Sequence, residues 1–229
     1  MNKITIAIDG FSSTGKSTLA KQLAQHLGYV YVDTGAMYRA ITLFAMQNGY
    51  ISNDFFDKTT LINSLPSIKL HFEFNSELGF AEMYLNNVNV EKEIRTIEVS
   101  SFVSKIAEVS EVRSKLVEQQ QAMGKDKGIV MDGRDIGTVV FPDAELKIFM
   151  TASPETRAQR RFDELQAKGD KVSYEEVLKN VQERDYIDTH REDSPLVIAE
   201  DAIEIDNSYL TREEQFAAVL ELTKEIITQ

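Results

Sequence analysis

In this 229-residue chain, the residues whose types and spacing best suit chemistry are Gly10-Phe11-Ser12-Ser13-Thr14-Gly15-Lys16-Ser17. They fill the pattern G-x-x-x-x-G-K-[ST], a phosphate-binding loop, or P-loop. Gly10 and Gly15 let the backbone take positive φ and come close to a phosphate, so that successive N–H groups point into one anion-sized nest. Lys16 adds a mobile positive charge for the β- and γ-phosphates, and the Ser17 hydroxyl can ligate Mg²⁺. A helix opening at about Lys16, through Ser17 and Thr18, aims its positive dipole end at the same anion.

Further polar residues fall at strand ends or on shared helix faces. Asp132 closes an apolar run and is followed by Gly133, Arg134 and Asp135; an acidic residue there suits a Mg²⁺-water or a ribose contact. Thr34 and Arg39 follow Tyr29-Val30-Tyr31-Val32, and ligands of open α/β sheets gather at carboxyl ends of strands. For Arg39 a structural role stays open beside the functional one. Arg157, Arg160 and Arg161 stand at i, i+3 and i+4, and Arg184, Asp188 and Arg191 at i, i+4 and i+7, so each set lines one helix face. Two such faces look like a lid that closes on polyphosphate, with a solvated, salt-bridged face as the alternative.

The elements that must position these groups alternate strand and helix. Strands are expected at Ile4–Ile8, Tyr29–Val32, Gly128–Asp132, Leu146–Met150 and Ala202–Asp206, the second and third buried. Leu19, Ala20, Leu23, Ala24 and Leu27 form the apolar face of the first helix. Between Asp57 and about Arg95 the period changes to two: Ile68, Leu70, Phe72 and Phe74 alternate with Lys69, His71 and Glu73, which predicts a small antiparallel sheet inserted into a parallel fold. The segment from Ile97 to Met123 is helical by periodicity, yet Ser104 and Arg113 are nine residues apart, which puts them on opposite faces of any unbroken helix. A break at Ser110, a residue type favoured at helix N-caps, would let both serve one pocket. Thr211 and Glu214 cap a closing amphipathic helix in T-x-x-E form.

Composition narrows the partners. A formal charge of −12 and a pI near 4.8 argue against polymeric nucleic acid, a contact that depends on clustered positive charge. With no cysteine, disulfides and thiolate metal sites are excluded, in keeping with a reducing compartment. The apolar run near the N-terminus is too short and interrupted for a signal peptide or membrane span. A soluble, cytoplasmic protein with no membrane partner is expected.

DTGAMYR (Asp33–Arg39), YLNNVNVEKEIRTIEVSSFVS (Tyr84–Ser104), DGRDIGTVVFPDA (Asp132–Ala144), TRAQRR (Thr156–Arg161) and RDYIDTHR (Arg184–Arg191) together resemble the bacterial cytidylate kinase family in its longer form, over essentially the whole chain. The resemblance implies an α/β P-loop kinase fold: a five-stranded parallel sheet flanked by helices, a small antiparallel insert and a helical lid. It also implies a single domain over 1–229, with core 1–56, 98–156 and 173–229, monophosphate-binding insert 57–97 and lid 157–172. By the same resemblance, Thr34, Ser104, Arg113 and Asp135 read cytosine, and Arg39, Arg134, Arg184, Asp188 and Arg191 hold ribose and phosphate. Ser12 touches substrate from within the loop.

The implied reaction is ATP- and Mg²⁺-dependent phosphorylation of CMP and dCMP, carried by Lys16, Arg134, Arg157, Arg161 and Arg191, in a monomer. Gly10 to Thr18 hold ATP, while Ser17 and, through water, Asp132 hold Mg²⁺. Phe11-Ser12-Ser13 stands where the family usually has Pro-Ser-Gly, and Ser110 where Pro often sits. The base assignment has independent chemical sense. Asp135 can accept from the exocyclic amine of cytosine while Arg113 donates to the other edge, and uracil would leave such groups unpaired. The alternatives are a P-loop kinase for UMP or a sugar acid, and a nucleotide switch; no N/T-K-x-D guanine-reading motif occurs in the chain.

Overall fold

The computed structural model describes residues 3–228. In chain order the elements are β1 (Thr5–Gly10), α1 (Lys16–Leu27), β2 (Val30–Asp33), α2 (Thr34–Gln47), α3 (Lys58–Ser64), β3 (Leu70–Asn75), β4 (Phe80–Leu85), β5 (Val88–Asn89), α4 (Ile97–Ala107), α5 (Ser110–Met123), β6 (Ile129–Asp132), β7 (Leu146–Thr151), α6 (Pro154–Ala167), α7 (Tyr174–His190), β8 (Ile203–Asp206) and α8 (Arg212–Ile227). They divide into two compact units: the segment Asp33–Met123, and the remainder of the described chain.

The first unit is a five-stranded parallel sheet in the order β2-β6-β1-β7-β8 with helices packed on it. β1 is central, pairing Ile8 with Asp132 on one side and with Ile148 on the other. All six of its residues are buried, as expected of a strand covered on both faces. The core joins Ile4, Ile6 and Ile8 to Leu19, Leu23, Val130, Ile148 and Val219. β2, expected to be buried, is instead an edge strand, and its Val30 is 63% exposed. Its tetrad of β-prone residues reads the same at an edge as at the centre, so position within the sheet is not legible there. The T-x-x-E signal at Thr211 is a complete capping box.

The Asp33–Met123 unit has its own core, built from Met37, Ile41, Leu61, Met83, Ile94, Ile106 and Leu116 among others. Its antiparallel sheet, in the order β3-β4-β5, pairs Phe72 with Met83 and Phe74 with Ala81. α2 opens at Thr34, directly after β2, because the Asp33 carboxylate accepts from the Ala36 amide as an N-cap. The expected break between Ser104 and Arg113 is present: α4 ends at Ala107 and α5 starts at Ser110.

Candidate active site

In the first unit β1 delivers the chain to the loop, and α1 takes it away from Lys16. Gly10 has φ +134°, and a Cβ there would lie 1.9 Å from the Met150 carbonyl oxygen; no other residue lets β1 and β7 stay paired at that point. The side chain of Lys16 is buried. Its Nζ donates to the Phe11 carbonyl at 2.5 Å and lies 3.4 Å from the Thr14 Oγ1. Burial pushes this ammonium well below the ordinary lysine range and nearby Arg134 adds to the effect, against the opposing charges of Asp132 and Asp9. A group held in this way gains from an incoming polyanion.

The Ser17 hydroxyl donates to Asp132 Oδ2 at 2.9 Å, and the Tyr31 hydroxyl donates to Asp132 Oδ1 at 2.8 Å. The end of β6 and the start of α1 therefore present two hard oxygen ligands side by side, a donor set that suits Mg²⁺ and not a soft metal.

Beyond Asp132 the chain makes a turn of π-helix over Ile136–Val140. Its opening amides, Ile136 N–H and Gly137 N–H, donate to Asp9 at 2.8 and 2.7 Å. Burial pushes the Asp9 carboxyl up to about 6 despite those two hydrogen bonds. Asp9 thus ties the strand that feeds the loop to the residue after Asp135.

Arg134 donates from Nε to Asp188 of α7 at 2.8 Å, and Asp188 is buried. Burial opposes the charge of Asp188, but Arg134, Arg184 and Arg191 around it hold its carboxyl below the usual range. Arg191 was expected on the helix face with Arg184 and Asp188. It lies one residue beyond α7 in extended backbone, where its guanidinium donates to the Ser194 carbonyl at 2.5 and 2.8 Å and sits 4.0 Å from Asp135 Oδ1. The unit therefore does bring Arg134, Asp135, Asp188 and Arg191 together.

The arginines of α6 separate. Arg161 pairs with Glu164 at 3.0 Å, and Arg160 donates to Asn207 after β8. Arg157, expected at the transferring phosphoryl group, has its guanidinium turned to Asp185, Ala152 and Ser12. The i, i+3, i+4 spacing gave a common face correctly, but partners from α7 and the β8–α8 connection were not visible in it.

In the Asp33–Met123 unit, Thr34 opens α2 and is buried, and Arg39 follows little more than one turn later. Arg39 Nη2 donates to Asp33 at 3.0 and 3.3 Å, and Arg95 Nη1 donates to the same carboxylate at 2.7 Å. Arg95 is anchored in turn by Glu91 at 2.6 and 2.9 Å. Burial works against the Asp33 charge, yet Arg95 and Arg39 hold the carboxyl far below the usual carboxylate range. Ser104 and Arg113 are both buried, and Arg113 Nη1 donates to the carbonyl of Ala107, the last residue of Ser104's helix, at 3.3 Å. The guanidinium carbon of Arg113 lies 5.7 Å from the Tyr38 ring centre.

The central strand, its glycine loop, the buried lysine and the Ser17–Asp132 pair define a P-loop kinase. Residues 6–225 match the family model described as cytidylate kinase. The chain is 81% identical over 227 residues to a cytidylate kinase of Flavobacterium johnsoniae, covering 99% of each chain. It is 74% identical to one of Flavobacterium psychrophilum, covering 99% of this chain and 100% of that one, and 61% identical to one of Bacteroides thetaiotaomicron, covering 94% of each. The chain belongs to the cytidylate kinase family.

Proposed function

We propose that this chain transfers the γ-phosphoryl group of ATP to CMP and dCMP, giving ADP and the corresponding diphosphates. The observation that carries the reading is the near-full-length identity to curated cytidylate kinases, joined to a glycine loop and buried lysine of the right kind at the end of β1. Phosphoryl transfer passes through a loose transition state, so the protein's work is alignment and charge neutralisation. A monophosphate oxygen is already ionised at neutral pH, and no general base is needed.

The amides of Gly10–Thr18 and the Lys16 ammonium hold the donor phosphates, and Ser12 extends the loop's contacts to the acceptor. Ser17 and, through water, Asp132 would hold Mg²⁺, which would supply neutralisation of the charge that develops on the phosphates. Arg39, Arg134 and Arg191 orient the acceptor phosphate, Arg184 and Asp188 hold its ribose, and Arg161 stabilises the transferring group. Asp135 accepts from the exocyclic amine of cytosine, and Arg113 donates to the opposite edge with Thr34 and Ser104 beside it in role. Residues 57–97 serve as the monophosphate-binding insert, and 157–172 as the lid. The chain works as a cytoplasmic monomer; among the described residues no helix is long and apolar enough to cross a membrane.

A panel of CMP, dCMP, UMP and a sugar acid in an ADP-release assay tests this reading. Turnover with CMP and dCMP is expected. UMP or a sugar acid as the better acceptor would overturn the base assignment, and slow ATP hydrolysis unstimulated by any acceptor would point to a nucleotide switch.

A further inference from the structure

We propose that Arg157 is a positioning residue of the phosphate loop, acting through the Ser12 carbonyl and Asp185, and does not touch the phosphoryl group in transfer. The proposal rests on the reading of Gly10–Ser17 as the ATP loop. Arg157 is 2% exposed. Its Nε donates to the Ala152 carbonyl at 2.9 Å, its Nη1 to Asp185 Oδ1 at 2.9 Å and to the Ser12 carbonyl at 3.3 Å, and its Nη2 to Asp185 Oδ2 at 2.5 Å. The guanidinium carbon stands 5.0 Å from the Phe11 ring centre, and that ring meets Phe149 edge-on at 6.0 Å.

A guanidinium has five N–H donors in one fixed plane. Here a carboxylate takes one edge in bidentate fashion, a strand-end carbonyl takes Nε, the loop takes a further Nη1 bond, and an aromatic face covers the plane. Turning this group toward a phosphate would strip the buried Ser12 carbonyl of its donor and the half-buried Asp185 of its partner, and would leave the buried guanidinium without its counter-charge. Because Asp185 neutralises the charge locally, Arg157 also adds little positive potential at the phosphates.

The loop has a need that this clamp meets. Amides that point inward at an anion leave neighbouring carbonyls pointing outward, and outward carbonyls need donors. Ser13 adds strain by holding φ +60° without being glycine. Arg157 takes the Ser12 carbonyl just before it. The Thr14 carbonyl just after it is taken by Asn207 Nδ2 at 2.5 Å, and Asn207 is held by Arg160 and by Gln215 of α8. Two arginines three residues apart on α6 thus fasten alternate carbonyls of the loop, one directly and one through Asn207.

The test uses Arg157→Lys, Asp185→Asn and the double variant in the full chain. ADP binding is measured by calorimetry, and kcat and KM are measured with ATP and CMP. ADP lacks the transferred group, so loss of a contact to that group cannot weaken it. Each single variant is expected to weaken ADP and raise KM for ATP by about 10-fold, with the double variant no worse than the poorer single. Arg157→Lys lowering kcat at unchanged ADP affinity overturns the proposal. So does Asp185→Asn leaving ADP affinity at the wild-type value, a result readable even where Arg157→Lys fails to fold. Wild-type protein that does not bind ADP removes the ATP-loop reading and the proposal with it. ADP binding that Lys16→Ala weakens but these variants leave intact removes the proposal alone.

Discussion

The glycine loop of the first unit and the Asp33 cluster of the second are built in opposite ways. In the loop the groups proposed to meet phosphate are backbone amides of one contiguous stretch, with one lysine, and the side chains that matter to its shape hold its outward carbonyls. Around Asp33 the charged groups are side chains drawn from β2, α2 and the segment before α4, and a buried carboxylate holds two arginines at once. A backbone site is set by local conformation and tolerates little change of residue type at its glycines. A side-chain site is set by packing and by the balance of opposite charges. The first kind should fail in catalysis when its cation is lost, and the second in acceptor affinity when its anion is lost.

Removal of the loop's cation is the strongest way to break that contrast. Lys16→Ala should lower kcat by roughly 10²–10³-fold or more and leave CMP affinity in calorimetry near the wild-type value; unchanged turnover would remove the donor-site assignment. Next in size is Asp135→Ala, which should erase about 10- to 100-fold of the preference for CMP over UMP in kcat/KM. A variant that still rejects UMP as before would place base reading elsewhere.

The buried carboxylate of Asp9, in β1, gives a third, pH-dependent test. The Asp9 pKa is raised from 3.8 to about 6, so the folded state favours the protonated acid. Its stabilising share is full below 3.8 and is lost as pH rises through 6. Between those values wild-type stability should fall relative to Asp9→Asn with a slope of at most about 1.4 kcal/mol per pH unit, followed by denaturant midpoints across pH. A flat difference would mean that Asp9 ionises normally.

Asp33→Asn is the smallest change. It keeps the N-cap hydrogen bond and removes the charge that holds Arg39 and Arg95. KM for CMP should rise about 5- to 10-fold with kcat little altered. A fall in kcat with KM unmoved would show that the two sites do not differ in the way described.

The same contrast explains what could be read from the sequence. The loop, the alternation of strands and helices, the antiparallel insert and the break before Ser110 all rest on local patterns, and each is present. Asp33 as an N-cap was within reach, since an aspartate at a strand-to-helix junction carries that signal. Asp185 beneath Arg157, Asn207 beneath the loop and Arg95 beside Asp33 were not. Each meets its partner across 28 to 193 residues of chain, and no periodicity encodes such a meeting. The edge position of β2 was lost for the same reason.

The placement of β1 in the sheet also bears on how the protein assembles as it is made. β1 pairs only with β6 and β7, and both follow the entire Asp33–Met123 segment. That segment is contiguous and carries its own core, so it can acquire structure while β1 still has no neighbour to pair with. The strand that presents the phosphate loop precedes that segment in the chain and, by this connectivity, is locked in place only after it. Nucleotide grip is therefore a late reporter of folding, and the appearance of ADP binding during refolding should mark closure of the parallel sheet.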